Sequence, residues 1–203
     1  MTTPTRKRLP RAEREARMLD AAGRVFGEKG FQAAPMDEIA QASGITKALL
    51  YQYFGSKEGL YAACVERSRA ELFTDIERAL ADVPPGPQRL RVFAERYFDS
   101  LEANRGSWWL LYGEAPSAAV NAMRERNART IAGAVGGVLD PARRRPDAAE
   151  LDVLAQALVG AGEQVGRWWV ERPDVPKAEV VDHFVTIVGG AIGAILQAGG
   201  RAR

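Results

Sequence analysis

Apolar residues recur at helical spacing along nearly the whole chain. Met18, Leu19, Ala22, Val25 and Phe26 follow one another at intervals of one, three and four residues, which places them on one face of a helix. The sequence contains no convincing run of alternating β-branched residues of the kind that forms a strand. This pattern predicts an all-α protein.

About nine helices are predicted, because glycine, proline and capping residues interrupt the helical pattern at intervals. Gly30 can end the first helix in a left-handed conformation, and Pro35 suits the first position of the second. Thr46 and Ser56 can cap the third and fourth helices. The predicted ranges are 11–28, a short helix after Pro35, 46–54, 57–81, 87–104, 106–114, 117–139, 147–171 and 177–198.

The first three helices have the order of a helix-turn-helix domain. Two short helices are joined by a tight turn at Gly44, and a basic helix precedes them. A helix that enters the major groove needs small or apolar residues near the bases and hydrogen-bond donors near the phosphates. In the first turn of the third helix Lys47 supplies a cation, and Ala48 and Leu49 can contact thymine methyl groups.

Polar residues continue along the third helix and into the fourth. Tyr51 and Tyr53 offer hydroxyls to the phosphate backbone, and Gln52 can reach a base edge. Lys57 starts the fourth helix, where its cation and the free backbone N–H groups can bind a phosphate. The spacing leaves open whether Gln52 points at the DNA or into solvent.

Positive charge is concentrated at the N-terminal end. The whole chain has a net charge of +2, but its first 57 residues hold ten Lys or Arg against six Asp or Glu. A basic end is consistent with a polyanion-binding module, although a solvated charged surface has the same composition. Residues 1–10 contain two prolines and three basic residues, which predicts a disordered arm. Its Arg6, Lys7 and Arg8 either contact DNA or serve only solubility.

A set of residues between Arg17 and Leu60 matches a known pattern at fixed spacing. The set comprises Met18–Ala22, Val25–Phe26, Glu28–Phe31, Ile39–Ala40, Ala42–Ile45, Leu50–Tyr51, Tyr53–Phe54, Ser56–Glu58 and Leu60. In these positions the sequence resembles the TetR family of transcription regulators. The resemblance implies a three-helix DNA-binding head on an all-helical body that dimerises and usually binds a small effector. The positions that it implies as DNA contacts are Thr46, Lys47, Ala48, Leu49, Tyr51, Tyr53 and Lys57.

The sequence departs from the family pattern at two places. Ala34 and Pro35 stand where the family commonly has threonine or serine, so the second helix lacks its usual hydroxyl cap and the phosphate contact that such a hydroxyl can make. Leu49 stands where a small or hydroxylated residue is common. The base preference therefore does not carry over from the family.

Six glycines lie within the last two predicted helices: Gly160, Gly162, Gly166, Gly189, Gly190 and Gly193. Each glycine inside a helix costs about 1 kcal/mol relative to alanine, so close approach between helices is the expected reason, with local bending as the alternative. These helices look like the pair that forms a four-helix dimer interface in the family. The predicted interface residues are Leu158, Gly162, Val165, Gly166, Trp169, Phe184, Val188, Ala191, Ile192 and Ile195.

Aromatic residues are concentrated in the predicted body. A ligand pocket is typically apolar with a few polar groups that orient the ligand, so this cluster favours a bulky hydrophobic or aromatic effector. The alternative is that the aromatic residues form ordinary core. The predicted lining residues are Phe93, Tyr97, Trp108, Trp109, Tyr112, Met123 and Trp168, with Glu163 and Gln164 as the polar groups.

Several classes of protein are disfavoured by what the sequence lacks. Cys64 is the only cysteine and His183 the only histidine, so neither an internal disulfide nor a Cys/His metal site is expected, and we expect no cofactor. Residues 1–17 show no apolar signal segment. The longest apolar stretch runs from Phe184 to Leu196, whereas a helix that spans a membrane needs about 20 residues. We therefore expect a cytoplasmic protein.

Together these features predict a transcription regulator with three parts. The predicted division is a basic arm over 1–10, a helix-turn-helix domain over 11–56 and a helical ligand-binding and dimerisation domain over 57–203. We expect a dimeric repressor that binds a palindromic operator, with its heads about 34 Å apart, and is released by an effector. A DNA-bound regulator or scaffold without a ligand is the alternative. An all-helical enzyme is a distant third, because no phosphate loop or nucleophile pattern is present.

Overall fold

The structure is a computed structural model that describes residues 10–105, 125–126, 128–131 and 147–198. Over these residues it is helical and contains no strand, which confirms the predicted all-α class. We number the helices of the described residues in chain order. They are α1 (Arg11–Ala33), α2 (Met36–Ser43), α3 (Lys47–Phe54), α4 (Lys57–Leu80), α5 (Pro87–Ala103), α6 (Ala148–Val170) and α7 (Lys177–Ala198).

Parts of three predicted segments lie outside the described residues. Of the N-terminal arm only Pro10 is described, and nothing of the helix predicted at 106–114 is. The helix predicted at 117–139 is described at 125–126 and 128–131, which are helical. The other predicted helices agree with the structure to within a few residues at each end.

Side-chain caps define the start of three helices. The Oγ1 of Thr46 accepts a hydrogen bond from the backbone N–H of Leu49 at 3.3 Å, and the Oγ of Ser56 accepts one from Gly59 at 3.0 Å. Both predicted caps are therefore confirmed. At the start of α6 the side chains of Asp147 and Glu150 each accept from the other's backbone N–H, which is a capping box.

The junction between α1 and α2 differs in detail from the prediction. Gly30 has φ 75° and ψ 165°, a break that glycine adopts without a Cβ clash, and one further helical turn follows it to Ala33. Pro35 is extended, with ψ 132°, so it precedes α2 instead of occupying its first position. No side chain caps α2, as the absence of a hydroxyl at Ala34 and Pro35 predicts.

Two hydrophobic clusters form the core, and α4 contributes to both. The first cluster joins the buried faces of α1, α2 and α3 to Leu60 and Val65 of α4. The second joins Leu72 and Ile76 of α4 to α5, α6 and α7. At its centre the ring of Phe98 packs edge-on against three other rings. They are Tyr97, Trp169 and Phe184, with centroid distances of 5.1, 5.5 and 5.6 Å.

Polar contacts hold α4 against its neighbours. One guanidinium nitrogen of Arg67 donates to the carbonyl of Ala16 at 3.2 Å, and another lies 2.8 Å from the carboxylate of Asp20. Both partners are on α1, so α1 and α4 are joined by charge as well as by apolar contact. One residue earlier, Glu66 pairs with Arg126 at 2.8 Å. The α4 helix is thus connected to α1 on one side and to the segment around Arg126 on the other.

Close approach between helices occurs within the chain, between α5 and α6. The hydroxyl of Tyr97 donates to the carbonyl of Gly162 at 2.8 Å. A Cβ at Gly166 would lie 2.7 Å from that hydroxyl oxygen and 2.8 Å from Leu101 Cδ1, so a larger residue there requires the Tyr97 or Leu101 side chain to shift. The helix that approaches Gly162 and Gly166 is therefore α5 of the same chain, and their place in a subunit interface stays a prediction.

One helix of the described residues, over Lys177–Ile195 in α7, is long and apolar enough to cross a membrane by length and composition alone. A helix that packs in a protein interior meets the same criterion. The α7 helix buries Val180, Phe184 and Val188 against the second cluster.

Candidate nucleic-acid interface

The α3 helix is held by one buried side and presents the other to solvent. Leu50 is fully buried in the first cluster, and Phe54 packs against the same cluster one turn later. The opposite side of a helix lies about half a turn away, which places Ala48 and Gln52 outward. Both are exposed. The burial pattern therefore turns these two side chains away from the core of the head.

Lys47 and Tyr51 lie one turn apart on the edge of α3 that faces α2. The Nζ of Lys47 is 2.8 Å from a carboxylate oxygen of Asp37 in α2, and both side chains are exposed. The hydrogen bond from Lys47 and the charge of Asp37 raise the pKa of Lys47 above its ordinary value. This cation is therefore already paired within the head, and Tyr51 is exposed beside it.

Lys57 is positioned by α1. Its Nζ donates to the carbonyl of Gln32 at 3.0 Å and lies 5.1 Å from the centroid of the Phe31 ring. These contacts hold the cation at the start of α4, next to the cap formed by Ser56. The side chain can donate further hydrogen bonds, because an ammonium group has three N–H donors.

Leu49 and Tyr53 lie on the opposite edge of α3, which faces the start of α1. There an open cleft of about 460 Å³ is lined by Arg11, Arg14, Leu49, Gln52 and Tyr53. The guanidinium carbons of Arg11 and Arg14 lie 5.4 and 5.8 Å from the centroid of the Tyr53 ring. Sequence reasoning missed both arginines as site residues. Their spacing of three residues on a helix was the available signal.

Arg6, Lys7 and Arg8, the predicted basic arm, lie outside the described residues. The remaining predicted DNA-contacting residues belong to α3, to its cap or to the start of α4. The structure brings them together on one surface of the head, with the cap Thr46 at one end. Lys47, Ala48, Tyr51 and Gln52 are exposed there, whereas Leu49, Tyr53 and Lys57 are half-buried.

The predicted ligand-binding residues divide into three groups. Trp108, Trp109, Tyr112 and Met123 lie outside the described residues. Phe93 and Tyr97 belong to or pack against the second cluster, and Glu163 is half-buried on α6. Gln164 and Trp168 are exposed on the side of α6 opposite Gly162 and Gly166, and their role as pocket lining stays a prediction.

The predicted dimer-interface residues are mostly part of the chain's own core. Ala191 is exposed, whereas Leu158, Val165 and Ile195 are half-buried and pack against the second cluster. The other six are buried within the chain by α5 and the neighbouring helices, and their part in contacts between subunits stays a prediction. These six are Gly162, Gly166, Trp169, Phe184, Val188 and Ile192.

A different side of α6 and α7 is exposed and largely apolar. Val153 on α6 and Ile187 on α7 are 70% and 69% exposed, and Trp168 is 41% exposed. A Cβ at Gly160 or Gly190 would meet nothing within 4 Å. We call this surface the α6–α7 face. Its residues are Val153, Ala157, Gly160, Gln164 and Trp168 on α6, and His183, Ile187, Gly190, Ala191 and Ala194 on α7.

The described residues include neither a cluster of metal-ligating side chains nor an exposed thiol. No group of three or more His, Cys, Asp or Glu side chains there is arranged to hold a metal ion. Burial raises the pKa of the Cys64 thiol to about 12, so it stays protonated at neutral pH and is a core residue of α4.

Comparison with known proteins gives two family matches. The family described as bacterial regulatory proteins, tetR family, matches residues 18–64. The family described as tetracyclin repressor-like, C-terminal domain, matches residues 86–189. The first match contains α2 and α3 with most of α1, and the second contains α5 and α6.

Two relatives are informative. The HTH-type transcriptional activator FasR of Mycolicibacterium smegmatis is 33% identical over 91% of this chain and 85% of its own length. The HTH-type transcriptional repressor NicS of Pseudomonas putida is 28% identical over 68% of this chain and 66% of its own. Relatives named both activator and repressor are therefore similar to this chain.

Solved structures are similar over most of the chain. A TetR-like transcriptional regulator from Rhodococcus sp. RHA1 has a TM-score of 0.69 and 32% identity, and the match covers 92% of this chain and 99% of that one. The fatty acid degradation regulator FadR from Bacillus halodurans has a TM-score of 0.71 with 16% identity, over 90% of this chain and 96% of that one. The second match shows a shared fold.

Proposed function

Because this chain belongs to the TetR family of DNA-binding transcriptional regulators, we propose that it binds a palindromic operator as a homodimer and leaves it when a small hydrophobic effector binds. The family and the class of regulator agree with what the sequence predicts. The operator symmetry, the dimer, the effector and the contacting residues are the proposed part.

The observation that carries the proposal is the setting of α3. Ala48 and Gln52 point outward on its exposed ridge, with Lys47 and Tyr51 on one edge and Tyr53 on the other. A major groove admits one helix and presents base edges at its floor and phosphates at its walls. We assign base contacts to Ala48 and Gln52. Phosphate contacts are assigned to Thr46, Lys47, Tyr51, Tyr53 and Lys57, and an apolar contact at the groove to Leu49.

The α6–α7 face supports the proposed dimer. Val153, Trp168 and Ile187 expose large apolar side chains along two adjacent helices, which monomeric proteins rarely leave in water over a large contiguous patch. A Cβ at Gly160 or at Gly190 would meet nothing within 4 Å, so a second pair of helices can approach the backbone at either position. A two-fold axis through this face produces a four-helix interface and two heads that read two half-sites.

The α4 helix supports the proposed response to an effector. Its first turns belong to the core of the head, and Arg67 ties it to α1, so the head follows any tilt of α4. Glu66 and Arg126 connect it to the body. An effector shifts this equilibrium only by binding one state more tightly, and a coupling of about 1–3 kcal/mol is usual.

We propose that operator binding represses transcription, because the relatives include the repressor NicS. The relatives also include the activator FasR, so activation is tested as well. In transcription from a template that carries the recovered operator, added protein should lower the yield of transcript. A rise would make the protein an activator. The relatives are named regulators, so we infer a cytoplasmic, non-enzymatic role.

Selection from a randomised duplex library tests the operator proposal. We expect the purified protein to enrich an inverted repeat whose half-sites are about 34 Å apart along the helix axis. A single unrepeated half-site would contradict the dimer, and enrichment of no sequence at all would contradict sequence-specific reading by α3. A matched selection with the Lys47→Gln variant should recover the same sequence with weaker binding.

A further inference from the structure

We propose that Arg11, Arg14 and Tyr53 form a second phosphate-binding site on the head, which contacts the DNA strand across the groove from Lys47. The inference rests on the proposed operator binding and adds to it a contact from α1. Its occupant is a phosphodiester of the operator backbone.

The first observation is the stacking of two cations on one ring. Arg11 and Arg14 are about one turn apart on α1, and their guanidinium carbons lie 5.4 and 5.8 Å from the centroid of Tyr53. A guanidinium that lies over an aromatic ring keeps its N–H edge available, and this edge matches two phosphate oxygens. The Tyr53 ring therefore orients donors that would otherwise move freely.

The second observation is that neither arginine has an acidic partner among the described residues. Other cations of the head are paired there: Arg17 with Glu13, and Lys47 with Asp37. The Nε of Arg14 is buried and has no hydrogen-bond partner. Two guanidinium groups at one ring repel each other, and an anion between them would relieve that repulsion.

The third observation is position on α3. Leu49 and Tyr53 lie on the edge that faces Arg11 and Arg14, about half a turn from the edge of Lys47 and Tyr51. A helix in the major groove has one phosphate strand on each side. The pair Lys47 and Tyr51 thus faces one strand, and the cleft at Arg11 faces the other. The open shape of this cleft suits a backbone that passes across it.

The salt dependence of operator binding tests this site. Affinity of the full-length protein for the recovered operator is measured by fluorescence anisotropy between about 50 and 200 mM salt. The test variant is Arg11→Gln with Arg14→Gln. The matched control is Arg17→Gln with Arg24→Gln, which removes the same charge from other sides of α1. Thermal unfolding of both variants checks that they are folded.

In the test variant we expect the slope of log affinity against log salt to fall by about 0.9 for each phosphate that the protein no longer neutralises. With one phosphodiester at each head, the fall for a dimer is about 1.8. The recovered sequence should stay the same. Ethylation interference should disappear at phosphates on one strand of each half-site only. The Arg11→Lys, Arg14→Lys variant should keep part of the slope, because it keeps the charge without the planar fork.

The possible outcomes distinguish failure of the second site from failure of the proposed function. If the wild-type protein selects no operator, the proposed function fails. If it binds its operator and the test variant keeps the full slope and the full interference pattern, only the second site is wrong. An equal fall of the salt slope in the control variant would show that the slope depends on the total charge of α1 and not on a site at Arg11 and Arg14. If inorganic phosphate binds at Arg11 while the test variant binds DNA as the wild type does, the cleft is a site for free anions. That result would also overturn the inference.

Discussion

Neighbouring residues of α3 have separate tasks because a helix turns each side chain by about 100° from the one before. Leu50 is buried, whereas Gln52, two positions further, is exposed and lines the cleft beside α1. From the spacing alone, Gln52 could face either DNA or solvent. Its place between the two edges to which we assign phosphate contacts favours the base edge.

Gln52→Ala should therefore change the sequence that the protein reads. Removal of the hydrogen bonds to one base costs about 1–3 kcal/mol of discrimination at that base, or roughly 5- to 150-fold. Library selection with the variant should show a relaxed preference at one position in each half-site, with the salt slope unchanged. Uniformly weaker binding to all sequences would instead show that Gln52 contacts the backbone.

Gly166→Ala should destabilise the body. The added Cβ would lie 2.7 Å from the hydroxyl of Tyr97 and 2.8 Å from Leu101, and relief of such crowding in a packed core costs about 1–3 kcal/mol. The unfolding free energy from urea titration measures it. Gly160→Ala is the control, because its Cβ meets nothing within 4 Å and alanine favours the helix. Equal stability of the two variants would contradict the close approach of α5 and α6.

At the level of elements, the turn between α3 and α4 sets the direction of α3. Gly55 has φ 76°, and the backbone N–H of Ser56 donates to the carbonyl of Phe54 at 2.9 Å. Gly59 then follows so closely that a Cβ there would clash with the same carbonyl oxygen. Such a contact is with backbone, so no side-chain movement relieves it.

Gly59→Ala should therefore disturb both stability and DNA binding. The turn must open to admit the Cβ, which moves α3 relative to α4, and we expect a lower melting temperature together with at least tenfold weaker operator binding, about 1.4 kcal/mol. Glu77→Ala, at an exposed position further along α4, should melt close to wild type. A Gly59→Ala variant with normal melting and normal binding would show that the turn adjusts without moving α3.

At the level of the whole molecule, α6 and α7 each present two unlike sides. One side of α7 buries Phe184 and Val188 in the chain's own core, and the other exposes Ile187. An apolar side chain that remains 69% exposed at the middle of a long helix fits an interface between subunits. The dimer would therefore use the α6–α7 face.

Ile187→Glu should convert the dimer to a monomer. Two-fold symmetry places the new charge on both sides of one interface, where its burial without a partner is unfavourable. Sedimentation velocity should show a single species of monomer mass, and operator affinity should fall because the half-sites are no longer bound together. Ala70→Glu, on an exposed position of α4, is the control. A dimeric Ile187→Glu variant would rule out this face.

Within the described residues, local sequence was sufficient to predict the helices, the caps at Thr46 and Ser56 and the helix-turn-helix order, because these depend on spacing and on side chains within a turn of each other. Thr46 and Ser56 cap as their positions predict, and the motif between Arg17 and Leu60 indicated the family. At α2 the prediction is off by one residue, because the extended conformation of Pro35 moves the start of the helix.

Packing between helices, in contrast, was needed to establish which side of each body helix is inside. In α6 both sides are apolar or small, so the spacing of glycines could not show whether Gly166 meets another subunit or Tyr97 of the same chain. The same holds for α7, where Ile187 and Val188 are adjacent and equally apolar. Likewise, Arg11 meets Tyr53 only because the fold brings the start of α1 beside α3. Contacts between residues distant in sequence depend on how helices pack, which local periodicity does not specify.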